Sequence, residues 1–170
     1  MEYRDIYDEN KRRTGRTVAA GAKRRPGEYI LCVGCWVIGH DRRIFLTKRS
    51  PEKKFMPDKW ENQGGHAVAG EDGPDAALRE LYEETGIRAA REDLILLSQR
   101  REDTYFVEDY VVVRDFDLSE VVLQPGETCD AKWADEAEWQ RMLTSGEIAP
   151  SVNEKLQPHK QRLLDILHAL

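Results

Sequence analysis

The chain has 170 residues, 40% of them hydrophobic and 34% charged, with 12 glycines and 7 prolines, a size and balance that suit one globular domain spanning residues 1–170. Its formal charge of −6 speaks against the broad basic face that stable, nonspecific nucleic-acid binding draws on. No run approaches the roughly 18 to 20 apolar residues of a membrane span, and Met1-Glu2-Tyr3-Arg4-Asp5 lacks the apolar centre of a signal peptide, so the cytoplasm is the expected compartment.

Residues 1–28 are read as an N-terminal hairpin or a loose arm, with Asp8-Glu9-Asn10 as turn-forming residues and Lys11, Arg12, Arg13 and Arg16 as a basic group. Residues 29–38 (YILCVGCWVI) are apolar and β-branched enough for a buried strand, and residues 43–48 (RIFLTK) alternate as a partner strand should, with His40-Asp41 at the turn. Cys32, Cys35 and Cys129 are an odd number of thiols with no second ligand pair at zinc spacing, so free cysteines are expected. Lys48, Arg49, Lys53 and Lys54 form a second basic group. A helix is expected over residues 74–85, strands over 94–99 and 104–116, and a short strand over 131–134. Further helices are expected over 136–143 and 158–170, the last with Pro158 in its first turn and Leu163, Leu164 and Leu167 on one side. Strands and helices therefore mix within one α/β (α+β) core, without repeats or a linker.

The chemistry concentrates in residues 65–87, GHAVAGEDGPDAALRELYEETGI. Asp72 and Gly73 can cap the helix, Pro74 can occupy its first turn and Gly86 can end it. Ala77 and Leu81 then face the core, while Glu80, Glu83 and Glu84, at i, i+3 and i+4, share another face. Carboxylates so close repel, Arg79 relieves only part of that, and a hard cation with oxygen preference is the natural partner: Mg2+ first, Mn2+ as its substitute. The glycines of the loop over residues 64–70 let backbone carbonyls approach the same ion.

Gly65, five residues, Glu71, seven residues, Arg79-Glu80-Leu81, one residue, Glu83-Glu84, one residue and Gly86-Ile87 resembles the Nudix box at each defined position. The resemblance, which extends to the approach over residues 60–65 and to the order of elements, implies a Nudix α/β/α sandwich with a mixed central sheet. It also implies a MutT-like pyrophosphohydrolase that cleaves a diphosphate linkage in a nucleoside diphosphate derivative or related organic diphosphate. Glu80, Glu83 and Glu84 would bind divalent metal, the Gly65 carbonyl would add a ligand, and Arg79 would orient Glu80. Glu71 would brace the loop from outside the ligand set. Water would attack one phosphorus, with Glu80 or a loop glutamate taking the proton. Glu127 is the candidate for a further downstream ligand, with Glu108, Asp109 and Asp130 as competitors.

Residues 44–70 are also similar in layout to isopentenyl diphosphate isomerase, a Nudix-fold enzyme whose catalytic cysteine directly precedes a Gly-His pair. Here Gly64 stands before Gly65-His66, so the thiol is absent and hydrolysis is favoured. Lys48 and Arg49 are candidates to hold substrate phosphate oxygens, the alternative being an exposed strand end. His66 is either a substrate contact or structural. A catalytically silent nucleotide-sensing module is the third reading, opposed by the intact box. The expected partner is a small-molecule diphosphate, with no membrane or stable nucleic-acid partner and with a homodimer left open. Trp36, Trp60, Tyr105, Phe106 and Trp133 could stack a base, although core packing accounts for most such residues.

Overall fold

A computed structural model describes residues 1–170. The elements follow in the order β1 (Tyr3–Tyr7), β2 (Arg13–Ala19), β3 (Ile30–Ile38), β4 (Ile44–Arg49), β5 (Trp60–Glu61), β6 (Gln63–His66), α1 (Gly73–Thr85), β7 (Leu94–Arg101), β8 (Tyr105–Val113), β9 (Thr128–Ala134), α2 (Glu136–Ser145), α3 (Pro150–Leu156) and α4 (Lys160–His168). β1 and β2 pair antiparallel as a separate hairpin. The other strands form a seven-stranded sheet along the path β5-β4-β3-β8-β7, with β6 added to β3 and β9 to β4.

The sheet is mixed because the central strand β3 runs parallel to β8, from Ile30 beside Tyr105 to Ile38 beside Val113, and antiparallel to β4 and β6. A strand buried on both faces needs apolar residues at odd and even positions alike, and β3 supplies them. Leu31, Val33, Cys35 and Val37 pack with Phe45, Ala76, Ala77, Leu81 and Val112 beneath α1. Trp36 and Ile38 pack on the opposite face with Leu46, Trp139, Met142, Leu163 and Leu167. Helices thus cover both faces of one sheet, the α/β/α sandwich.

Local chemistry sets the helix that carries the glutamates. The Asp72 side chain accepts from the Asp75 N–H at 3.0 Å, Pro74 lies in the first turn, and Gly86 ends the helix at φ 72°, its N–H donating to the Tyr82 carbonyl at 2.7 Å. The end of the chain departs from the single helix expected over 158–170. Pro150 starts α3, a 3-10 turn over residues 157–159 follows, and α4 runs only to His168. Pro150 and Pro158, eight residues apart, each fix the backbone of a first turn, so the chain breaks into two short helices.

Candidate active site

α1 presents its acidic face to the loop after β6. Arg79 is the hub of that contact. Its guanidinium donates to Glu71 at 2.8 and 3.2 Å, to Glu80 at 3.0 Å, to Glu83 at 2.9 Å and to the His66 carbonyl at 2.9 Å. Burial alone would favour the neutral guanidine, but the Glu71 hydrogen bonds and the three surrounding carboxylates outweigh it and raise the Arg79 pKa. Glu71 also accepts from the Val68 N–H at 3.0 Å, so the same carboxylate ties the glycine loop to the helix. At Gly65 a Cβ would collide with the Glu80 carboxylate where it now lies, so any larger residue there requires that side chain to move away from the loop backbone.

The glutamates do not gather at one point. Glu83 is the most exposed and turns to Arg79, while Glu84 is 8% exposed and points toward the sheet. Its Oε2 is buried without a hydrogen-bond partner. Burial first, then the neighbouring carboxylates Glu61, Glu80 and Glu127, hold the Glu84 pKa well above the ordinary range, with the Gly64 backbone amide offsetting a part. Glu80 is raised too, mainly by burial. No three acidic, histidine or cysteine side chains converge closely enough to grip an ion unaided, and Arg79 pairs with both Glu80 and Glu83.

Glu61 in β5 is the residue that the motif reading missed. Arg49 clamps it through Nη1 at 2.8 and 2.9 Å, yet burial still raises the Glu61 pKa. A two-residue strand is too short for any periodic signal, and the only sequence hint was its place in the approach to the glycine loop. Arg49 is therefore committed to Glu61 and to the carbonyls of Phe55 and Met56, and Lys48 lies 3.7 Å from Asp58. Glu127 pairs with Lys53 and contributes to the negative field at Glu84 and Glu61. Among its competitors, Glu108 is bound by Lys11, Gln99 and Tyr110 beneath Gly73, and Asp109 pairs with Arg100 and Ser98. Asp130 lies opposite Lys48 on β9.

The NUDIX domain model matches residues 28–153, a span that contains the whole sheet and α1. The chain belongs to the Nudix family. An uncharacterized Nudix hydrolase of Listeria monocytogenes is 31% identical over 156 residues, covering 88% of this chain and 89% of that protein. The isopentenyl-diphosphate Delta-isomerase of Paenarthrobacter aurescens is 40% identical over only 67 residues, 39% of this chain and 36% of that protein. The crystal structure of DR0079 from Deinococcus radiodurans superposes with a TM-score of 0.69 at 18% identity, covering 87% of this chain and 92% of that one, which supports the sandwich. As a Nudix hydrolase the protein acts on diphosphate (phosphoric anhydride) bonds. The family generally uses divalent metals, and no helix of this chain is long and apolar enough to cross a membrane.

The donor set fits such a cation. An orphaned, buried Glu84 oxygen, a second buried carboxylate in Glu80 and the unobstructed Gly65 backbone are hard oxygen donors, the class that Mg2+ and Mn2+ take. The isomerase-like feature does not carry over. A Cβ at Gly64 would collide with the Val33 carbonyl, so the β3–β6 pairing leaves no room for a thiol at that position.

Proposed function

We propose that this protein is a Mg2+-dependent hydrolase, with Mn2+ as a substitute, that cleaves a diphosphate linkage in a nucleoside diphosphate derivative or related small organic diphosphate by attack of water on phosphorus. The observation that carries the reading is the buried, unpartnered carboxylate oxygen of Glu84 inside an intact box, since such a group costs stability until a cation compensates it. Glu80, Glu83, Glu84 and the Gly65 carbonyl would hold the metal, with Glu127 at its edge. Bound there, a divalent cation supplies charge neutralisation of the diphosphate and acidification of a water.

The remaining work falls to the chain's own residues. Glu80, or a glutamate of a neighbouring loop, takes the proton of the attacking water. Arg79 fixes the Glu80 rotamer, and Glu71 fixes Arg79. Attack at one phosphorus expels the other phosphate, so the products are two phosphate-bearing fragments. Lys48, 3.7 Å from the exposed Asp58, can exchange that partner for a phosphate oxygen, and Arg49 can act on substrate only through Glu61 or by releasing it. The three unpaired cysteines fit a reducing cytoplasm, with burial pushing Cys32 and Cys35 up to about 12.

The experiment is a panel of nucleoside and isoprenoid diphosphate derivatives assayed with Mg2+ for phosphate release and for double-bond isomerisation. Metal-dependent release that disappears in a Glu83→Gln/Glu84→Gln variant supports the reading. Turnover unchanged in that variant, or isomerisation without hydrolysis, refutes it.

A further inference from the structure

The hairpin of β1 and β2 lies outside the 28–153 span that marks the domain, yet it is firmly seated. The β1–β2 register slips between Asp5 and Tyr7, a bulge that takes side chains out of strict alternation, and the adjacent residues Ile6 and Tyr7 are both buried. Tyr7 exchanges two backbone hydrogen bonds with Tyr29, at 2.8 and 3.0 Å, and its ring meets Phe106 edge-on at 6.3 Å. β1 is thereby fixed to the chain that enters β3.

Beyond the sheet, the hairpin holds the loop that leads into α1. The Ala69 N–H donates to the Tyr3 carbonyl at 2.8 Å, and the Gly70 N–H donates to the Asp5 carboxylate at 2.9 Å. The same Asp5 oxygen pairs with Arg13 Nε at 3.2 Å, while Arg13 Nη2 donates to the Glu71 carbonyl. Backbone groups of three successive loop residues are thus satisfied by the hairpin. At the hairpin tip Lys11 pairs with Glu108, whose carboxylate, with the Tyr110 hydroxyl, occupies the space a Cβ would need at Gly73, the first residue of α1. Contacts of the two kinds meet at Glu71. Its side chain turns to the Val68 N–H and to Arg79, which holds Glu80, whereas its carbonyl turns to Arg13. A loop with Gly70 at φ 95° has little stiffness of its own, so what fixes it is the partners of its backbone groups.

We propose that Asp5 and Arg13 are positioning residues for the reaction: they fix the loop backbone at Gly70 and Glu71, so that the Glu71–Arg79 pair holds Glu80 in one place. The inference rests on the hydrolase reading for what this positioning serves. Two features separate it from a general stabilising role. The side chain of Arg13 is 42% exposed and that of Asp5 17%, and ion pairs so near the surface add little to global stability. Their hydrogen bonds end on the loop backbone, so their loss acts first on local order there.

The test compares Asp5→Ala, Asp5→Asn and Arg13→Gln with Arg16→Gln, a change in the same hairpin at a side chain that pairs with Glu28 instead of the loop. In the full-length protein with a chelator, NMR follows hydrogen exchange of the Gly70 amide and of the Arg79 Nε–H, which is bonded to Glu71 at 2.8 Å. Both should exchange at least about tenfold faster in Asp5→Ala and in Arg13→Gln while melting stays cooperative, as expected when a hydrogen bond to a charged group guards a local opening. Asp5→Asn keeps an oxygen for the Gly70 N–H and should recover most of the protection, and Arg16→Gln should match the wild type. On an identified diphosphate, kcat should fall by about tenfold or more in Asp5→Ala with KM little changed, because the loop orients Glu80 and does not hold the substrate. Unchanged Arg79 Nε–H exchange in Asp5→Ala or in Arg13→Gln overturns the positioning, and so does an equal quickening in Arg16→Gln or wild-type kcat in Asp5→Ala. Should Asp5→Ala not fold, Arg13→Gln decides both readouts by the same criteria. Faster exchange in a protein that hydrolyses nothing on the panel would keep the link from the hairpin to Arg79 and remove the hydrolase reading.

Discussion

Arg79 and Glu71 make a two-point ion pair, Nε to Oε1 at 2.8 Å and Nη2 to Oε2 at 3.2 Å. Because Glu71 also accepts from the Val68 N–H and Arg79 also donates to the His66 carbonyl, this pair joins the glycine loop to the helix at both of its ends. Glu71→Gln should therefore lower kcat by about 10- to 100-fold, as loss of a residue that orients a ligand typically does. Losing a charge-assisted contact at a half-buried pair should also cost about 2 kcal/mol, which for a chain of this size lowers Tm by roughly 4 to 8 °C. Arg79→Lys should not restore either quantity, since one ammonium cannot span the same acceptors. Wild-type kcat in Glu71→Gln would show that the pair is dispensable.

Glu80 is the most damaging carboxylate to remove. It alone combines burial at the glycine loop with a guanidinium partner at 3.0 Å, whereas Glu83 is exposed and Glu84 lacks the arginine. Glu80→Gln keeps size and shape, and kcat on an identified substrate should fall by roughly 10²- to 10⁴-fold. The metal-free Tm should hold or rise slightly, because a carboxylate whose ionised form burial disfavours has been replaced by a neutral amide. Near wild-type kcat would remove Glu80 from the chemistry, and loss of activity together with a collapsed melting curve would make it a structural residue.

The pattern of helix residues made α1 and its glutamates legible because capping, periodicity and the glycine stop are all local signals. What α1 packs against is not local. Residues 80, 83 and 84 share a helix face, but which of them meets Arg79 and which meets the sheet depends on where β5 and β6 place Glu61 and Gly64, and those strands have two and four residues. Arg49 shows the same limit: its position beside a basic group suggested a free cation, and only the β4–β5 pairing, with Lys48 opposite Trp60, brings Glu61 to it. The helix over residues 150–156 was hidden for another reason. α3 is only seven residues long and has no side-chain cap, so propensity gives it little weight.

The charge state of Glu84 should be visible as a pH dependence in the metal-free protein. Its folded pKa lies well above the usual 4.5, so the native state binds the proton more tightly than the unfolded chain does. Ionised Glu84 therefore costs nothing at pH values below about 4.5 and destabilises increasingly as pH rises through the raised folded value. Glu84→Gln carries no charge at any of these values. Its Tm advantage over the wild type, measured with a chelator, should grow from near zero at low pH to a few degrees at neutral pH. Excess Mg2+ should reduce that advantage or reverse it, since the cation compensates only the carboxylate. Parallel Tm curves for the two proteins across pH would refute the burial of an uncompensated charge.

The last prediction concerns the position at which the isomerases carry their acid thiol. Gly64 pairs with Gly34 across β3 and β6, and a Cβ there meets the Val33 carbonyl and the Gly34 Cα, both of them backbone atoms that cannot rotate away. Gly64→Cys must therefore separate the two strands locally, at a cost of about 1 to 3 kcal/mol typical of overpacking, so Tm should drop by roughly 2 to 12 °C. The displacement acts on Gly65 next to it, and hydrolysis should fall because that backbone faces Glu80. A new thiol held out of register has no fixed relation to a carbon it would protonate, so neither the wild type nor Gly64→Cys should convert isopentenyl diphosphate to its allylic isomer. Gly64→Ala separates the two effects: it should reproduce the loss of stability and of hydrolysis without adding a thiol. If Gly64→Cys melted like the wild type and produced allylic diphosphate, the close approach of β6 to β3 would not be what keeps this chain a hydrolase.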